Sequence, residues 1–109
     1  MTSEKGTRYN AGKPSLALLP AKPLTEIAKV LDFGKIKYTA HNWRKGLNYL
    51  ETLSSAQRHL AEWQEGEGTD KESGLMHLAH AACNLLFLIE FELTGTGTDD
   101  RYKKEIKNG

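Results

Sequence analysis

Residues 58–86, RHLAEWQEGEGTDKESGLMHLAHAACNLL, decide how this chain folds, because the two ends of the stretch have helical patterns and its middle is a loop. Five polar residues recur here at helical spacing among leucines and alanines: His59, Glu62, His77, His80 and Asn84. A helix that buries its apolar residues rarely turns several polar groups inward unless each has a partner. The partner is another side chain, a metal or a ligand, and the rest of the sequence has to distinguish among these.

Length and composition indicate one soluble domain over residues 1–109, with 39% apolar and 27% charged residues. No apolar run reaches the roughly 18 residues of a membrane span. The first ten residues lack the apolar segment of a secretory signal. The single cysteine, Cys83, excludes an intramolecular disulfide and is typical of a reducing compartment. We therefore expect a cytoplasmic protein with no membrane partner.

The charges are unevenly distributed along the chain. Residues 1–50 contain nine Lys and Arg against three Asp and Glu, whereas residues 51–109 contain six against eleven. A chain with a net charge of only +1 and no basic tract is a poor candidate for direct nucleic-acid binding. Segregated charge suits a site that holds phosphates with cations and a metal with carboxylates. The alternative interpretation is that two faces of the surface happen to differ in charge, without any functional role.

The hydrophobic pattern predicts an all-α fold with three main helices. They lie between an extended arm, residues 1–19, and a flexible tail, residues 94–109. The first helix is expected to begin near Pro23 or Leu24, since proline is compatible with a first helical turn. The second is expected over residues 50–64 and the third over residues 73–93. Three leucines of the arm are expected to dock it: Leu16, Leu18 and Leu19.

At 100° per residue, the second and third helices each gather their bulky apolar residues on one face. The predicted faces are Leu50, Leu53, Ala56, Leu60 and Trp63 in the second helix, and Leu75, Leu78, Ala82, Leu85, Ile89 and Leu93 in the third. The polar stripe of His77, His80 and Asn84 lies opposite the second of these faces and continues into Leu88 and Phe91. A helix apolar nearly all round is expected to be central, with its polar stripe against a second layer or a partner subunit.

The histidines suggest a metal site. His59 and Glu62 are three residues apart, as are His77 and His80, so each pair shares a helix face. Two antiparallel helices would bring all four together, and imidazoles with a carboxylate are suitable ligands for a first-row metal. A buried hydrogen-bond network that holds a dimer in register accounts for these residues equally well.

The N-terminal half carries cations and aromatic residues that suit a nucleotide. The predicted nucleotide-binding residues are Arg8, Asn10, Lys13, Lys37, Tyr38, Asn42, Trp43 and Arg44, with Asn84 from the third helix. Lysine and arginine donate to phosphate oxygens, and Phe33, Tyr38 or Trp43 can stack on a base. The opposing interpretation is that Tyr38 and Trp43 belong to the core. The segment AGKP lacks the spacing of a P-loop.

Three blocks occur in order: YNAGKPSLALLP, VLDFGKIKYTAHNWRKG and RHLAEWQEGEGTDKESGLMHLAHAACNLLFL. Over residues 8–93 the chain resembles a small family of phage-encoded dATP/dGTP diphosphohydrolases of MazZ type, near the MazG-like all-α nucleotide pyrophosphohydrolases. The resemblance implies a homodimer or homotetramer that cleaves a purine deoxynucleoside triphosphate to the monophosphate and pyrophosphate. It also implies Mg²⁺ or Mn²⁺ as cofactor and the cytoplasm of an infected bacterium as location.

In MazG-like enzymes the metal ligands follow an ExxE motif and, after a gap, an ExxD motif on two facing helices. The corresponding positions here are His59-x-x-Glu62 and His77-x-x-His80. The resemblance thus implies that these four residues hold the metal, with Glu62 as the one carboxylate among them. So many imidazoles favour Mn²⁺, Fe²⁺, Co²⁺ or Zn²⁺ over Mg²⁺, which prefers oxygen ligands.

The catalytic residues implied by the resemblance are Glu62 and Glu72, either of which can orient the attacking water as general base. Three alternatives stay open. Asp70 and Glu72 can replace the missing carboxylates while the histidines contact phosphate. The fold can bind a nucleotide without cleaving it. The histidines can also be purely structural within a helical oligomer, with stability that follows histidine titration near pH 6.5.

Overall fold

The computed structural model describes residues 5–103, which form three α-helices. Helix α1 spans Ala21–Lys37, α2 spans Tyr49–Gln64 and α3 spans His77–Thr94, and short 3₁₀ turns lie at Leu16–Leu18 and Asn42–Lys45. Within the described residues there is no β-strand, only two isolated bridge pairs. The predicted all-α fold with three main helices is confirmed. No helix of the described part is long and apolar enough to cross a membrane.

Helix α3 is central, as predicted, and contacts both α1 and α2. Tyr49 packs on Phe91 at one end of the α2–α3 pair and His59 contacts His77 at the other, so these helices run antiparallel. The loop of residues 65–76 closes the pair at the histidine end. On the α1 side of α3 a small apolar core consists of Val30, Ala79 and Cys83.

The surfaces that α2 and α3 bury are small and polar rather than leucine-rich. Helix α2 buries Tyr49, Thr52 and Ala56, and α3 buries His77, Ala79, His80, Ala81, Cys83 and Phe91. The predicted leucine face of α3 is exposed, by 37% at Leu78, 44% at Leu85, 61% at Ile89 and 79% at Leu93. Leu50, Leu60 and Trp63 of α2 are exposed too. Ala56 of these faces is buried, and Leu53, Leu75 and Ala82 are partly buried. The other bulky residues of the two faces lie outside the core, because small residues allow close helix approach and the histidines find partners inside.

Helix α3 begins at His77, not at residue 73 as predicted. The backbone N–H and the hydroxyl of Ser73 both donate to Asp70 Oδ2, at 2.9 and 3.0 Å, and Gly74 has a φ of +71°. The Asp70 N–H donates in turn to the Leu75 carbonyl at 2.8 Å. These bonds form a tight turn that competes with helical geometry, so the helix starts only where the turn ends.

An aromatic cluster joins the connection between α1 and α2 to the central helix. Trp43 stacks on Phe87 with ring centroids 4.4 Å apart, and Phe91, which is fully buried, packs against both Trp43 and Tyr49. The Arg44 guanidinium lies over the Trp43 ring at 4.7 Å. The indole is therefore engaged within the chain, as the core interpretation of this tryptophan predicts.

The segment after α3 returns to the start of α2. The Thr98 carbonyl accepts the Tyr49 N–H at 2.9 Å, and the Asp100 carboxylate accepts the Leu50 N–H at 2.9 Å. These bonds satisfy amides that the first turn of a helix otherwise leaves free. This part of the predicted flexible tail is hydrogen-bonded into the fold, and residues 104–109 lie outside the described residues.

Gly97 lies where two stretches of backbone touch. Its φ is +82°, and a Cβ there would lie 2.8 Å from the Leu47 carbonyl oxygen and 3.3 Å from a ring carbon of Phe91. We expect Gly97→Ala to lower the free energy of unfolding by about 2–4 kcal/mol, since overpacking and left-handed strain add. Urea denaturation measures the loss. Gly95→Ala is the matched control, with φ +70° and nothing within 4 Å of its Cβ, at a cost of about 1 kcal/mol. Equal losses of unfolding free energy in the two variants would contradict the close contact between Gly97 and the Leu47 backbone.

The described part of the N-terminal arm, residues 5–20, is exposed throughout. The three leucines expected to dock it are also exposed, by 76% at Leu16, 83% at Leu18 and 53% at Leu19. The predicted docking is therefore wrong within a single copy of the described chain. Residues 1–4 of the predicted arm lie outside the described residues.

Candidate metal centre and nucleotide cleft

His59, Asp70 and His77 meet where α2, α3 and the loop of residues 65–76 converge. Nδ1 of His59 lies 2.9 Å from Nδ1 of His77, so one nitrogen donates to the other. Each of the three residues offers one potential ligand atom, and these three atoms all lie within 4.8 Å of one another. No other group of three potential metal ligands is found in the described part of the chain. We call these three residues the donor group.

The donor group fits a divalent first-row metal ion. When two nitrogen ligands each lie about 2.1 Å from a metal ion and the N–metal–N angle is about 90°, the nitrogens are about 3 Å apart. The observed 2.9 Å between the two histidines matches that spacing. Two imidazoles with one carboxylate suit Mn²⁺, Fe²⁺, Co²⁺ or Zn²⁺ better than Mg²⁺.

His77 is 3% exposed, and its second ring nitrogen faces a carboxylate. Nε2 has no hydrogen-bond partner among the described residues, but Oε2 of Glu67 lies 3.4 Å from it. A carboxylate beside Nε2 favours the tautomer protonated there. The Nδ1 lone pair is then directed toward His59 and the centre of the donor group.

His80 is held by a chain of hydrogen bonds from the loop. Its Nε2 lies 2.7 Å from the Ser73 hydroxyl oxygen, which lies 3.0 Å from the Asp70 carboxylate. A carboxylate only accepts, so the single hydroxyl proton of Ser73 points to Asp70, and Nε2 of His80 must donate to Ser73. Nδ1 is then the acceptor nitrogen of the neutral ring, which stacks on His59 with centroids 4.4 Å apart.

The electrostatics of the site keep its ligands ready for a metal. Burial lowers the pKa of His59, and the nearby His80 lowers it further. Burial also lowers the pKa of His80, although Asp70 opposes this. Burial alone would raise the pKa of Asp70, but hydrogen bonds from Ser73 lower it overall. At pH 7 the His59 ring is therefore neutral and Asp70 is ionised, the protonation states in which these two residues can ligate a metal.

Two concave spaces meet at the donor group. A cleft of about 660 Å³ runs between α1, the 3₁₀ turn at Asn42–Lys45 and α3, and a pocket of about 370 Å³ lies beyond it. His59 and Asp70 line both spaces, whereas His77 and Glu62 line only the smaller pocket. The donor group therefore lies between the two spaces, with two of its three residues in the walls of both.

A family model described as dATP/dGTP diphosphohydrolase, N-terminal, matches residues 3–101. The chain belongs to this family. A relative, the dATP/dGTP diphosphohydrolase of Salmonella phage PMBT28, is 35% identical over 96 residues, which cover 88% of this chain and 33% of the relative. The chain thus spans about a third of the length of this curated relative, and no solved structure matches it. The resemblance predicted from three sequence blocks is confirmed.

In this member of the dATP/dGTP diphosphohydrolase N-terminal family, the four predicted metal ligands occupy different positions. His59 and His77 belong to the donor group. His80 is hydrogen-bonded to the loop, and Glu62 is exposed on the wall of the smaller pocket. The third donor is Asp70, which the sequence indicated only as a replacement carboxylate.

Six of the nine predicted nucleotide-binding residues line the large cleft of this family member: Lys37, Tyr38, Asn42, Trp43, Arg44 and Asn84. The three arm residues Arg8, Asn10 and Lys13 are exposed and do not line it. Lys37 donates to the Glu72 carboxylate at 2.9 Å, and this bond raises the pKa of the lysine. Tyr38 is 60% exposed beside this pair, so of the predicted aromatic residues its ring is the most open.

Asn84 has one side-chain polar atom, its amide oxygen, left for a ligand in the cleft. Its amide nitrogen donates to the His80 carbonyl at 2.9 Å and to the Ser55 hydroxyl at 3.3 Å. A carbonyl only accepts, which fixes the orientation of the amide. Because both N–H groups are engaged inside the chain, the side-chain oxygen of Asn84 is left as an acceptor for a donor group on a ligand.

Sequence reasoning missed Glu67 and Ser73, which position His77 and His80. The spacing Asp70-x-x-Ser73 is compatible with a turn in which the aspartate carboxylate accepts the backbone N–H of the serine, so that signal was present. Nothing in the spacing of Glu67 relates it to His77, because loop residues follow no period. Cys83 is a buried small residue as expected, and burial raises the pKa of its thiol to about 11.

Proposed function

We propose that this chain takes part in metal-dependent hydrolysis of dATP or dGTP to the monophosphate and pyrophosphate; its phage relative is named a dATP/dGTP diphosphohydrolase. The observation that carries the proposal is the donor group at the junction of two concave spaces. The larger space has room for a nucleoside and the smaller one for phosphates. The expected location is the cytoplasm of a phage-infected bacterium.

His59, Asp70 and His77 would hold the metal ion, with Glu67 fixing the tautomer of His77. When bound, such an ion neutralises phosphate charge and lowers the pKa of an attacking water. Of the two carboxylates expected to act as general base, Glu62 shares the smaller pocket with all three donors. Glu72 is already ion-paired with Lys37. We therefore assign proton removal from the water to Glu62.

Cations on both sides of the donor group would hold the triphosphate. Lys37 and Arg44 line the large cleft, and Arg58 and Lys71 line the smaller pocket. Such donors stabilise the charge that grows on the leaving pyrophosphate. The Asn84 oxygen would accept a hydrogen bond from the exocyclic amino group that adenine and guanine both carry.

The exposed leucine faces favour an oligomer, and we propose that a second copy covers them in a homodimer or homotetramer. Soluble monomers rarely leave a contiguous apolar stripe such as Leu78, Leu85, Ile89 and Leu93 open to water. Sedimentation equilibrium of the purified chain tests this. A monomer at micromolar concentration would contradict it.

Binding without cleavage is the second candidate function. Histidines stand at three of the four positions where MazG-like enzymes carry carboxylates, and Glu72 is engaged by Lys37. In that case the same cleft would sequester a nucleotide intact. The donor group would then order the phosphates without activating water.

Product analysis distinguishes the two functions. The purified chain is incubated with each dNTP and with ATP, in Mg²⁺ and separately in Mn²⁺. We expect monophosphate and pyrophosphate from dATP or dGTP, with Mn²⁺ the more effective ion because two of the three donors are imidazoles. Intact nucleotide in every reaction would contradict hydrolysis by this chain, and bound, uncleaved nucleotide would then establish sequestration.

A further inference from the structure

Gly34 occupies the interior of α1, where glycine is unfavourable. In a helix interior it costs about 1 kcal/mol relative to alanine. Glycine is often needed for a positive φ, but Gly34 is not among the positive-φ residues of the described chain. The backbone conformation therefore does not account for this glycine.

Packing within the chain does not account for it either. A Cβ built on Gly34 meets no atom within 4 Å, so an alanine would fit without any clash. At Gly97, by contrast, a Cβ would lie 2.8 Å from the Leu47 carbonyl oxygen. The space left at Gly34 opens onto the large cleft, which this residue lines.

The surroundings of Gly34 describe what the space can accept. Val30 and Gly34 are four residues apart on one stripe of α1, Tyr38 follows the last residue of that helix, and all three line the cleft. Val30 is buried at its floor and Tyr38 is exposed at its rim, so Gly34 lies between them. Helix α3 supplies Cys83 and Phe87 to the same cleft. Gly34 therefore leaves a flat stretch of helix backbone, here called the ledge, which faces the apolar side chains of Cys83 and Phe87.

We propose that this ledge receives the purine ring of the nucleotide, which lies with its face against α1 at Gly34; the inference rests on the proposed function. A helix interior has no free N–H groups to offer a phosphate, because its amides are bonded within the helix. A flat apolar ring needs no such donors and gains from close contact. The cations Lys37, one turn after Gly34, and Arg44 line the same cleft, where phosphates can use them.

The test uses Gly34→Ala and Gly34→Leu, both of which replace glycine by a better helix former. We expect the urea midpoint of each variant to equal or exceed that of the wild type. We expect the affinity for α,β-methylene dGTP in Mn²⁺, measured by calorimetry, to fall at least tenfold in Gly34→Ala and further in Gly34→Leu. The affinity for the analogue then falls while the urea midpoint stays or rises. Replacing a glycine that is needed for folding would instead lower the urea midpoint.

Thr25→Ala is the control, because it also raises helix propensity in α1 but does not line the cleft. Its affinity for the analogue should equal that of the wild type. Wild-type binding with unchanged affinity in both Gly34 variants would overturn the ledge and leave the proposed function intact. A lowered urea midpoint in Gly34→Ala would also overturn it, since the glycine would then be structural. A wild-type chain that binds no analogue would overturn both proposals.

Discussion

Replacement of His59 by alanine is expected to abolish metal binding and hydrolysis while the fold is retained. His59 supplies one of three donors and, together with Asp70, lines both concave spaces. Loss of an outer-shell partner alone lowers metal affinity about 10–100-fold, so loss of a ligand should lower it by more than about 100-fold. Titration calorimetry of the apo chain with Mn²⁺ and with Zn²⁺ measures this directly.

The fold should survive His59→Ala because the residue is only partly buried and alanine favours the interior of α2. Gln57→Ala on the same helix is the matched control, since Gln57 is exposed and lines neither space. Full metal affinity in His59→Ala would refute the donor group. The 2.9 Å contact between His59 and His77 would then need another explanation.

The second large effect is expected from Glu62→Gln. A general base contributes about 10²–10⁴-fold to rate, so the rate of hydrolysis should fall by that factor at saturating substrate. Metal affinity should stay at the wild-type value, because Glu62 lies outside the donor group. Single-turnover hydrolysis of dGTP, measured beside Mn²⁺ titration, separates the two quantities.

Glu72→Gln tests the rival assignment. This carboxylate accepts a hydrogen bond from Lys37, and its loss should raise KM more than it lowers the rate at saturation, because the phosphate-binding lysine then loses the partner that holds it in place. If Glu72→Gln abolishes turnover and Glu62→Gln does not, the general base lies on the α1 side of the site. The water would then attack from the large cleft.

The three helices could be predicted because apolar residues recur with a helical period over α1, α2 and α3. Which faces of α3 meet α1 and α2 could not be predicted, because that helix is apolar on two sides. Hydrophobicity alone favours the leucines, whereas the chain buries Ala79, Ala81 and Cys83 with the histidines. The distance between the helices and the available hydrogen-bond partners determine which residues of α3 are buried. Neither can be read from the periodic pattern of the sequence.

The candidate metal site could be predicted for the residues that lie on helices but not for the residue that lies in the loop. His59 and His77 followed from their position on facing helices. Asp70 joined them through a turn whose bonds to Ser73 replace what the pattern predicted as the first helical turn. A loop residue has no period to reveal its direction, so its role emerges only from the folded backbone.

The outward leucines of α2 and α3 have a thermodynamic consequence. With small and polar groups between the helices, much of the chain's bulky apolar surface contributes to folding only when something covers it. If a second copy does so, association and folding share one equilibrium, and the apparent stability rises with protein concentration by mass action. Dilution would then act on this protein as a denaturant.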